Sequence, residues 1–224
     1  MPAGRVSNPR QLSEIVPQDV FVGTSLIIRQ GDRFLFGIRP AKRDGDEIIL
    51  EVTGIGGGLE GSDHSFTAGV RREAMEEIGC EVRLLSCDPT LVVQGPKSTE
   101  WVEIRGEESP VAIVFRNYRT PRTQPWSQQN QGKACILIYL AELVDKPRPE
   151  MELPRLLWLS PDEILEIANQ DVPLKQIVQS DNDLVPGASG WPPPGLLRMT
   201  DSQEALALAL GSETPDFYRR LLRI

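Results

Sequence analysis

The stretch of sequence that decides the fold is GGLEGSDHSFTAGVRREAMEEIGC, residues 57–80. From about Ser62 to Ile78 one face carries an apolar residue at every fourth position: Phe66, Val70, Ala74 and Ile78. This spacing predicts an amphipathic α-helix. Gly79 follows at once, in the position where a helix commonly ends in a left-handed residue. A glycine-rich loop therefore leads into one long helix.

The predicted helix is acidic on one side. Glu73 and Glu77 lie four residues apart and share a face, and Glu76 lies beside them. Such a group is either a solvated acidic face or a set of hard oxygen ligands for Mg²⁺ or Mn²⁺. The glycine run Gly56–Gly58 favours the second interpretation, because it lets the backbone approach a ligand and present carbonyl oxygens to the same metal. Divalent ions would let an acidic protein bind a diphosphate.

Strand patterns flank this stretch on both sides. Strands are predicted at Val20–Arg29, Arg33–Ile38, Ile48–Thr53, Glu81–Gln94, Pro110–Tyr118, Lys133–Val144 and Leu156–Leu159. Loops are predicted at Lys42–Glu47, Gly95–Ser109 and Arg119–Gly132, with a Pro- and Glu-rich connection at Asp145–Pro154. A second helix opens at Ser160-Pro161, with an N-cap and a first-turn proline, and runs to about Asn169. This order of elements predicts an α/β (α+β) protein.

The chain length fits one domain with appendages. We place an N-terminal arm at 1–17, the main domain at 18–179, and a linker with a helical extension at 180–224. Ser180–Pro194 is rich in proline and glycine, and two short helices are predicted beyond it, over 201–210 and 215–224. The apolar faces of those helices need a partner, so the extension is a cap on the domain, a lid or a homodimer element.

The charge composition argues against some classes of binding partner. The 224 residues contain 24 Lys and Arg against 32 Asp and Glu, for a net charge of −8. A nucleic-acid or anionic-membrane surface needs a basic excess, so neither partner is indicated. The three cysteines form no CxxC pair and no secretory signal is present, which predicts reduced thiols in a cytoplasmic protein.

The quoted stretch resembles the Nudix box, G-x5-E-x7-R-E-U-x-E-E-x-G-U, where U is bulky and usually aliphatic. Five fixed positions match: Arg72, Glu73, Glu76, Glu77 and Gly79. The wider resemblance covers about residues 18–170 and includes the exit Trp158–Ile164. It implies a Nudix-like α-β-α sandwich with a central mixed sheet, a catalytic domain at 18–179 and a small C-terminal helical extension.

One position of the box departs from the pattern. Counting back from Arg72, the box glycine is Gly58 and His64 replaces the first glutamate. Alternatively the loop holds one extra residue, so that Gly57 is the box glycine and Asp63 the acid. In the family this acid mainly supports the helix and its arginine. Both registers remain open at this point.

The resemblance also implies roles for the residues that match. Glu73 and Glu77 would be the principal ligands of Mg²⁺ or Mn²⁺, and Glu76 a further ligand or one that acts through water. Arg72 would orient a carboxylate, and a carbonyl near Gly56 or Gly57 would complete the metal site. The general base varies in this family, and five glutamates outside the box are candidates: Glu103, Glu107, Glu108, Glu150 and Glu152.

The leading hypothesis is a metal-dependent hydrolase that cleaves the diphosphate linkage of a nucleoside diphosphate joined to another moiety. Pro96 lies where family members that act on ADP-ribose resemble one another in having a proline, and Trp101 is a candidate for stacking on a base. The alternative is a non-catalytic Nudix-like module that binds a nucleotide or has a regulatory role. A third hypothesis is the branch of the family that isomerises isoprenoid diphosphates. In each case the ligand is a small molecule.

Overall fold

A computed structural model describes residues 6–95, 98–117, 133–150, 152–188 and 190–200. These residues form two compact units. The first contains the described residues within 1–26, 56–72 and 84–141, and the second those within 27–55, 73–83 and 142–224. In this part of the chain no helix is long and apolar enough to cross a membrane.

Strands outnumber helices in the described residues. The strands are β1 (Val6–Arg10), β2 (Phe21–Gln30), β3 (Arg33–Ile38), β4 (Lys42–Asp44), β5 (Glu47–Thr53), β6 (Val82–Leu85), β7 (Thr90–Gly95), β8 (Ser98–Ile104), β9 (Ala112–Asn117), β10 (Lys133–Leu143), β11 (Arg155–Leu159), β12 (Val172–Pro173), β13 (Leu184–Pro186) and β14 (Leu196–Met199). The helices are α1 (Leu12–Ile15), α2 (Phe66–Ile78), α3 (Pro161–Asn169) and α4 (Leu174–Ile177).

In the first unit the strands follow the order β1-β8-β7-β9-β10-β2, with β2 contributing its first six residues. Pairs β1/β8 and β7/β9 are parallel, whereas β7/β8 and β9/β10 are antiparallel. The core side chains are almost fully buried, among them Val92, Val102, Ile113 and Leu137. This unit is therefore built on a mixed sheet.

In the second unit the order is β2-β3-β5-β14-β12, and β11 pairs with both β3 and β13. The β5/β14 pair is parallel and the β2/β3, β3/β5 and β3/β11 pairs are antiparallel. Capping side chains fix where α3 begins, because Ser160 Oγ accepts the Glu163 N–H and the Glu163 carboxylate accepts the Ser160 N–H. The predicted α/β class with a mixed sheet is confirmed.

The predicted long helix is present but begins later than its apolar spacing indicates. It starts at Phe66 rather than Ser62. The Asp63 and Ser65 side chains accept backbone N–H groups of Glu60 and Ala68, which holds the preceding residues in turns. The predicted end is confirmed, since Gly79 has a positive φ of 53°.

Three predicted connections contain strands. Residues 42–44 pair with β5 although all three are exposed, and β8 lies within the predicted loop Gly95–Ser109. Strand β13, within the predicted linker, pairs with β11, and β14, which follows the linker, pairs with β5. Backbone pairing with few buried side chains leaves little hydrophobic pattern in any of these segments.

The predicted strand Glu81–Gln94 is in fact two strands, β6 and β7, separated by a turn. Asp88 organises that turn by accepting the Ser109 hydroxyl at 2.7 Å. Four predicted features lie outside the described residues: Tyr118, the loop Arg119–Gly132, Pro96 and the helices over 201–224.

Candidate functional site

The glycine loop before α2 is hydrogen-bonded to strand β2. Thr24 N–H donates to the Gly57 carbonyl at 2.8 Å, and Leu59 N–H donates to the Val22 carbonyl at 3.0 Å. Gly56 has φ +143°, and a Cβ at this position would lie 2.2 Å from the Thr24 oxygen. Only glycine fits there, because any side chain would collide with the backbone of the strand.

Arg72, in the second turn of α2, holds this loop. Its Nη2 donates to the Gly58 carbonyl at 2.9 Å and to Asp63 Oδ2 at 3.0 Å, and its Nε donates to Asp63 Oδ1 at 3.2 Å. The Glu60 carboxylate lies 3.8 Å from Nη1. The paired geometry to Asp63 is the bidentate fork that guanidinium and carboxylate groups form most strongly.

Asp63 is the acid in this arrangement and His64 is not. The Asp63 side chain is only 6% exposed, whereas His64 is exposed to solvent. The hydrogen bonds from Arg72 hold the pKa of Asp63 below its usual value despite burial. Of the two registers left open by the sequence, the structure brings Asp63 to the arginine.

The acidic residues of α2 differ in burial. Glu73 and Glu77 are 9% and 3% exposed, and Glu76 is exposed. Glu73 and Glu77 are one helical turn apart, so their carboxylates leave the same face. Among the described residues, no three His, Cys, Asp or Glu side chains are grouped so that they could hold a metal ion. Glu73 and Glu77 are therefore the two buried carboxylates through which α2 could bind a metal ion.

The backbone carbonyl groups of the glycine loop, among which a main-chain metal ligand is expected near Gly56 or Gly57, already accept hydrogen bonds. The Gly57 carbonyl already accepts the Thr24 N–H, and the next carbonyl, that of Gly58, accepts Arg72. Each carbonyl oxygen has two lone pairs, so each keeps one for a further partner.

Two of the candidate general bases contact the first turns of α2. The Glu107 carboxylate accepts the Thr67 N–H at 3.3 Å, and the Glu108 carboxylate accepts Arg71 Nη2 at 2.5 Å. Burial raises the pKa of Glu107. Burial is also the largest single effect on Glu108 and would raise its pKa, but the hydrogen bond and charge of Arg71, together with a backbone hydrogen bond, lower the pKa overall. Glu107 is therefore a half-buried acid with a perturbed pKa.

The other candidates do not contact the first turns of α2, although the Glu150 N–H donates to the Glu77 carbonyl at 3.2 Å, at the end of that helix. Glu103 is exposed on β8, and Glu150 and Glu152 are exposed in the connection after β10. Trp101 is half-buried on β8, and Pro96 is outside the described residues. The pairing of Arg71 with Glu108 was not predicted, and the only hint in the sequence is the doubled arginine, Arg71-Arg72, in a helix rich in glutamate.

Comparisons with known proteins gave structural neighbours alone. No protein-family model matches the chain, and no curated protein matches it. A NUDIX hydrolase from Nitrosomonas europaea is 14% identical, with a TM-score of 0.38 over 66% of this chain and 61% of its own. A NUDIX family hydrolase from Clostridium perfringens is 16% identical, with a TM-score of 0.42 over 66% of this chain and 85% of its own. An ADP-ribose pyrophosphatase from Streptococcus suis is 17% identical, with a TM-score of 0.37 over 63% and 75%.

Proposed function

We propose that this chain is a Mg²⁺- or Mn²⁺-dependent hydrolase that cleaves the diphosphate linkage of a nucleoside diphosphate joined to another moiety. The observation that carries the proposal is the contact between Asp63 and Arg72. With Asp63 as the acid, the box departs from the pattern in two ways only: an aspartate stands in place of the first glutamate, and one extra residue precedes Arg72. The departure at His64 then no longer argues against activity.

The residues fit a magnesium ion. Mg²⁺ is usually held by one or two carboxylates together with substrate phosphates and water, rather than by a full protein cage. Glu73 and Glu77 supply two such carboxylates on one face of α2. When bound, a divalent ion would screen the diphosphate charge and lower the pKa of a water molecule.

The remaining residues have supporting roles in this proposal. Arg72 is a positioning residue, because it fixes Asp63 and the glycine loop rather than the substrate. Glu76 is exposed and acts through water. Among the five candidate bases we favour Glu107, since a carboxyl group whose pKa is raised accepts a proton more effectively near neutral pH.

The ligand is a small nucleotide, and ADP-ribose is the first to test because of the position of Pro96. The net charge of −8 supports a metal-bound anion and gives no support to a nucleic-acid or membrane partner. We also propose a cytoplasmic location, because the cysteines are unpaired, and a homodimer, because the apolar faces predicted near the C-terminus need a partner.

The test is a substrate panel. The full chain is incubated with ADP-ribose, NADH, diadenosine polyphosphates, dNTPs or a CoA ester, with Mg²⁺ and with EDTA, and phosphate-containing products are separated. We expect one class to be cleaved with Mg²⁺ and to survive with EDTA. Cleavage that persists in EDTA, or the absence of cleavage throughout, contradicts the proposal.

The second candidate is a nucleotide-binding module without catalysis. Tight binding of one compound of the panel, measured by calorimetry, together with no turnover would establish it. Two features of the sequence favour it, the altered first box position and the unassigned C-terminal extension, and the contact of Asp63 with Arg72 weakens the first of them.

A further inference from the structure

Tyr139, on β10 in the first unit, has a buried hydroxyl group without a hydrogen-bond partner. Its side chain is fully buried, and in the described part of the chain its oxygen and that of Thr24 are buried and make no hydrogen bond. A hydroxyl that is taken out of water without a partner destabilises the folded state. Such a group in a folded protein therefore needs a physical explanation.

The segment that leads into β9 brings two carboxylates into the neighbourhood of Tyr139. Beside this residue, the β9/β10 ladder is extended by a hydrogen bond from the Val111 N–H to the Ile138 carbonyl at 2.8 Å. Glu107 and Glu108 stand four and three residues before Val111 in the chain. The strand pairing thus places the acidic segment next to the strand that carries the unpartnered hydroxyl.

The charges of this segment act on the hydroxyl. Burial, together with the charges of Glu107 and Glu108, raises the pKa of Tyr139, and the charge of Arg71 opposes the rise. Glu108 and Arg71 form an ion pair with each other at 2.5 Å. Opposite charges so close together largely cancel at a distance. Glu107 is therefore the carboxylate whose charge the hydroxyl can compensate.

Glu107 has acceptor capacity left for a further hydrogen bond. Its carboxylate accepts the Thr67 N–H at 3.3 Å, slightly longer than the usual range for such a bond. An ionised carboxylate has about four acceptor positions. Gly106, directly before it, has φ +99°, and a Cβ there would meet nothing within 4 Å. The start of this segment is thus free to adjust when the carboxylate turns.

We propose that Tyr139 is a positioning residue whose hydroxyl donates a hydrogen bond to the ionised carboxylate of Glu107, a role in the reaction that rests on the proposed function of Glu107 as general base. The bond satisfies the buried hydroxyl and favours the charged form of Glu107. It also holds the carboxylate in one orientation for accepting a proton. Glu108 and Arg71, the other charged groups that act on Tyr139, remain paired with each other.

The first experiment measures the pKa of Glu107 by NMR, on the full chain labelled with ¹³C at the glutamate carboxyl groups, in EDTA. The Glu107 signal is assigned by its loss in Glu107→Gln. Tyr139→Phe keeps the ring and removes the donor, so we expect the pKa of Glu107 to rise by about 0.5 to 1 pH unit. An unchanged or lowered pKa overturns the proposal.

The matched control is Thr24→Val, which keeps the shape of the side chain and removes the other buried hydroxyl without a partner. It should leave the pKa of Glu107 unchanged, because only the hydroxyl of Tyr139 is placed at this carboxylate by the proposal. An equal rise in both variants would show a general effect of altered packing and would overturn the proposal.

A second measurement needs no variant of Tyr139 and applies even if Tyr139→Phe does not fold. The chain has three tyrosines, so ¹³C-labelled tyrosine gives few signals to assign. The ring carbon that bears the Tyr139 hydroxyl should change its chemical shift with the midpoint of Glu107. This change should disappear in Glu107→Gln and persist in Glu108→Gln. A Tyr139 signal that follows Glu108, or that does not respond to pH in this range, contradicts the proposal.

Kinetics then test the role of Tyr139 in the reaction. On the substrate that the panel identifies, the acid limb of the pH profile of kcat/KM should move upward in Tyr139→Phe by the same amount as the pKa of Glu107. An acid limb that stays in place while the pKa moves overturns this role. Neither NMR measurement involves turnover, so a negative result there leaves the proposed hydrolase activity unaffected.

Discussion

The carboxylate of Asp63 links the turn before α2 to Arg72. It accepts two hydrogen bonds from Arg72 and one from the Glu60 N–H at 2.9 Å, and so closes the turn that precedes α2. His64, next in the chain, is exposed. Of these two adjacent residues, only Asp63 holds the turn, so substitutions at the two positions should differ in their effect on stability.

Asp63→Asn should lower the free energy of unfolding by about 1–3 kcal/mol at neutral pH, because it replaces the charged, paired contact with the mostly buried Arg72 guanidinium by a neutral one. Urea unfolding measures the loss, and His64→Gln is the control, expected to stay within about 0.5 kcal/mol. A larger effect at His64 than at Asp63 would restore the other register of the box.

The same pair predicts a pH dependence. The pKa of Asp63 is lowered in the folded state relative to its ordinary value of 3.8. Its contribution is therefore present above the unfolded pKa and is lost as the pH falls through the folded one. The difference between wild type and Asp63→Asn should shrink steadily below about pH 4.

Glu77→Gln should lower turnover of the cleaved substrate by about a hundredfold or more, because the amide keeps the shape of the side chain and removes the charge of a metal ligand. Folding should be retained, as judged by circular dichroism. Glu81→Gln, exposed just beyond α2, is the matched control with unchanged activity. Near-normal turnover of Glu77→Gln at saturating Mg²⁺ would show that Glu77 does not bind the metal.

Glu107 gives the opposite pH dependence from Asp63. Burial raises its pKa above the ordinary value of 4.5, so its favourable contribution is complete below that value and is lost as the pH rises through the folded pKa. Glu107→Gln removes the buried charge and keeps an oxygen for the Thr67 N–H. Its stability relative to wild type should rise between pH 4 and pH 7, in urea unfolding at each pH. Glu103→Gln, exposed on β8, should show no such trend.

At the scale of elements, the pairing of the glycine loop with β2 positions the residues before α2. Gly56→Ala should cost at least about 2 kcal/mol, because the added methyl group meets the Thr24 carbonyl and φ is +143°. Gly61→Ala is the control, since a Cβ there meets nothing within 4 Å. Comparable stabilities of the two variants, measured by thermal and urea unfolding, would show that the loop shifts freely along the strand.

The long elements with a repeated pattern of buried side chains could be predicted from the sequence, whereas short helices such as α1 and α4 and strands with few buried side chains could not. Val70, Ala74 and Ile78 are fully buried at the predicted spacing, so the core face of α2 was readable. Strand β8 was missed because few of its side chains are buried and its pairing with β1 and β7 uses the backbone. Backbone pairing depends on neighbours distant in the chain, and such neighbours leave no local pattern.

The candidate site divides in the same way. The placement of the three glutamates and Arg72 on one helix could be predicted from their spacing, and their role in a metal site stays a prediction. The choice between Asp63 and His64 could not, since it depends on which side chain the turn directs toward the arginine. The contact of Glu107 with Thr67 joins residues 40 apart in sequence, and no local pattern encodes it.

At the scale of the whole molecule, the first part of the C-terminal region, residues 180–200, packs into the second unit. Asp183 accepts hydrogen bonds from Arg33, Gln179 and Ser180, and its carboxylate is buried. Leu184 on β13 and Leu197 on β14 are 1% and 0% exposed. Residues 180–200 are therefore integral to the second unit, and a truncation that removes them tests folding rather than a lid.

Two truncations separate the roles. Ending the chain after Gln179 removes β13 and β14 and deprives β5 and β11 of a partner strand, so we expect aggregation or loss of cooperative thermal unfolding. Ending it after Thr200 keeps every strand described and should leave the unfolding transition intact. A soluble, cooperatively folded chain ending at Gln179 would contradict the placement of β13 and β14.

The chain that ends after Thr200 then tests residues 201–224 by themselves. Kinetics on the cleaved substrate and the mass in solution are compared with those of the full chain. A raised KM at unchanged mass identifies a lid, because substrate binding weakens while the assembly is preserved. A halved mass identifies a dimer element. Because the acidic face of α2 is complete without this segment, we expect kcat to change by less than about threefold. A hundredfold fall in kcat would place a catalytic group among residues 201–224, where three arginines cluster at 219, 220 and 223.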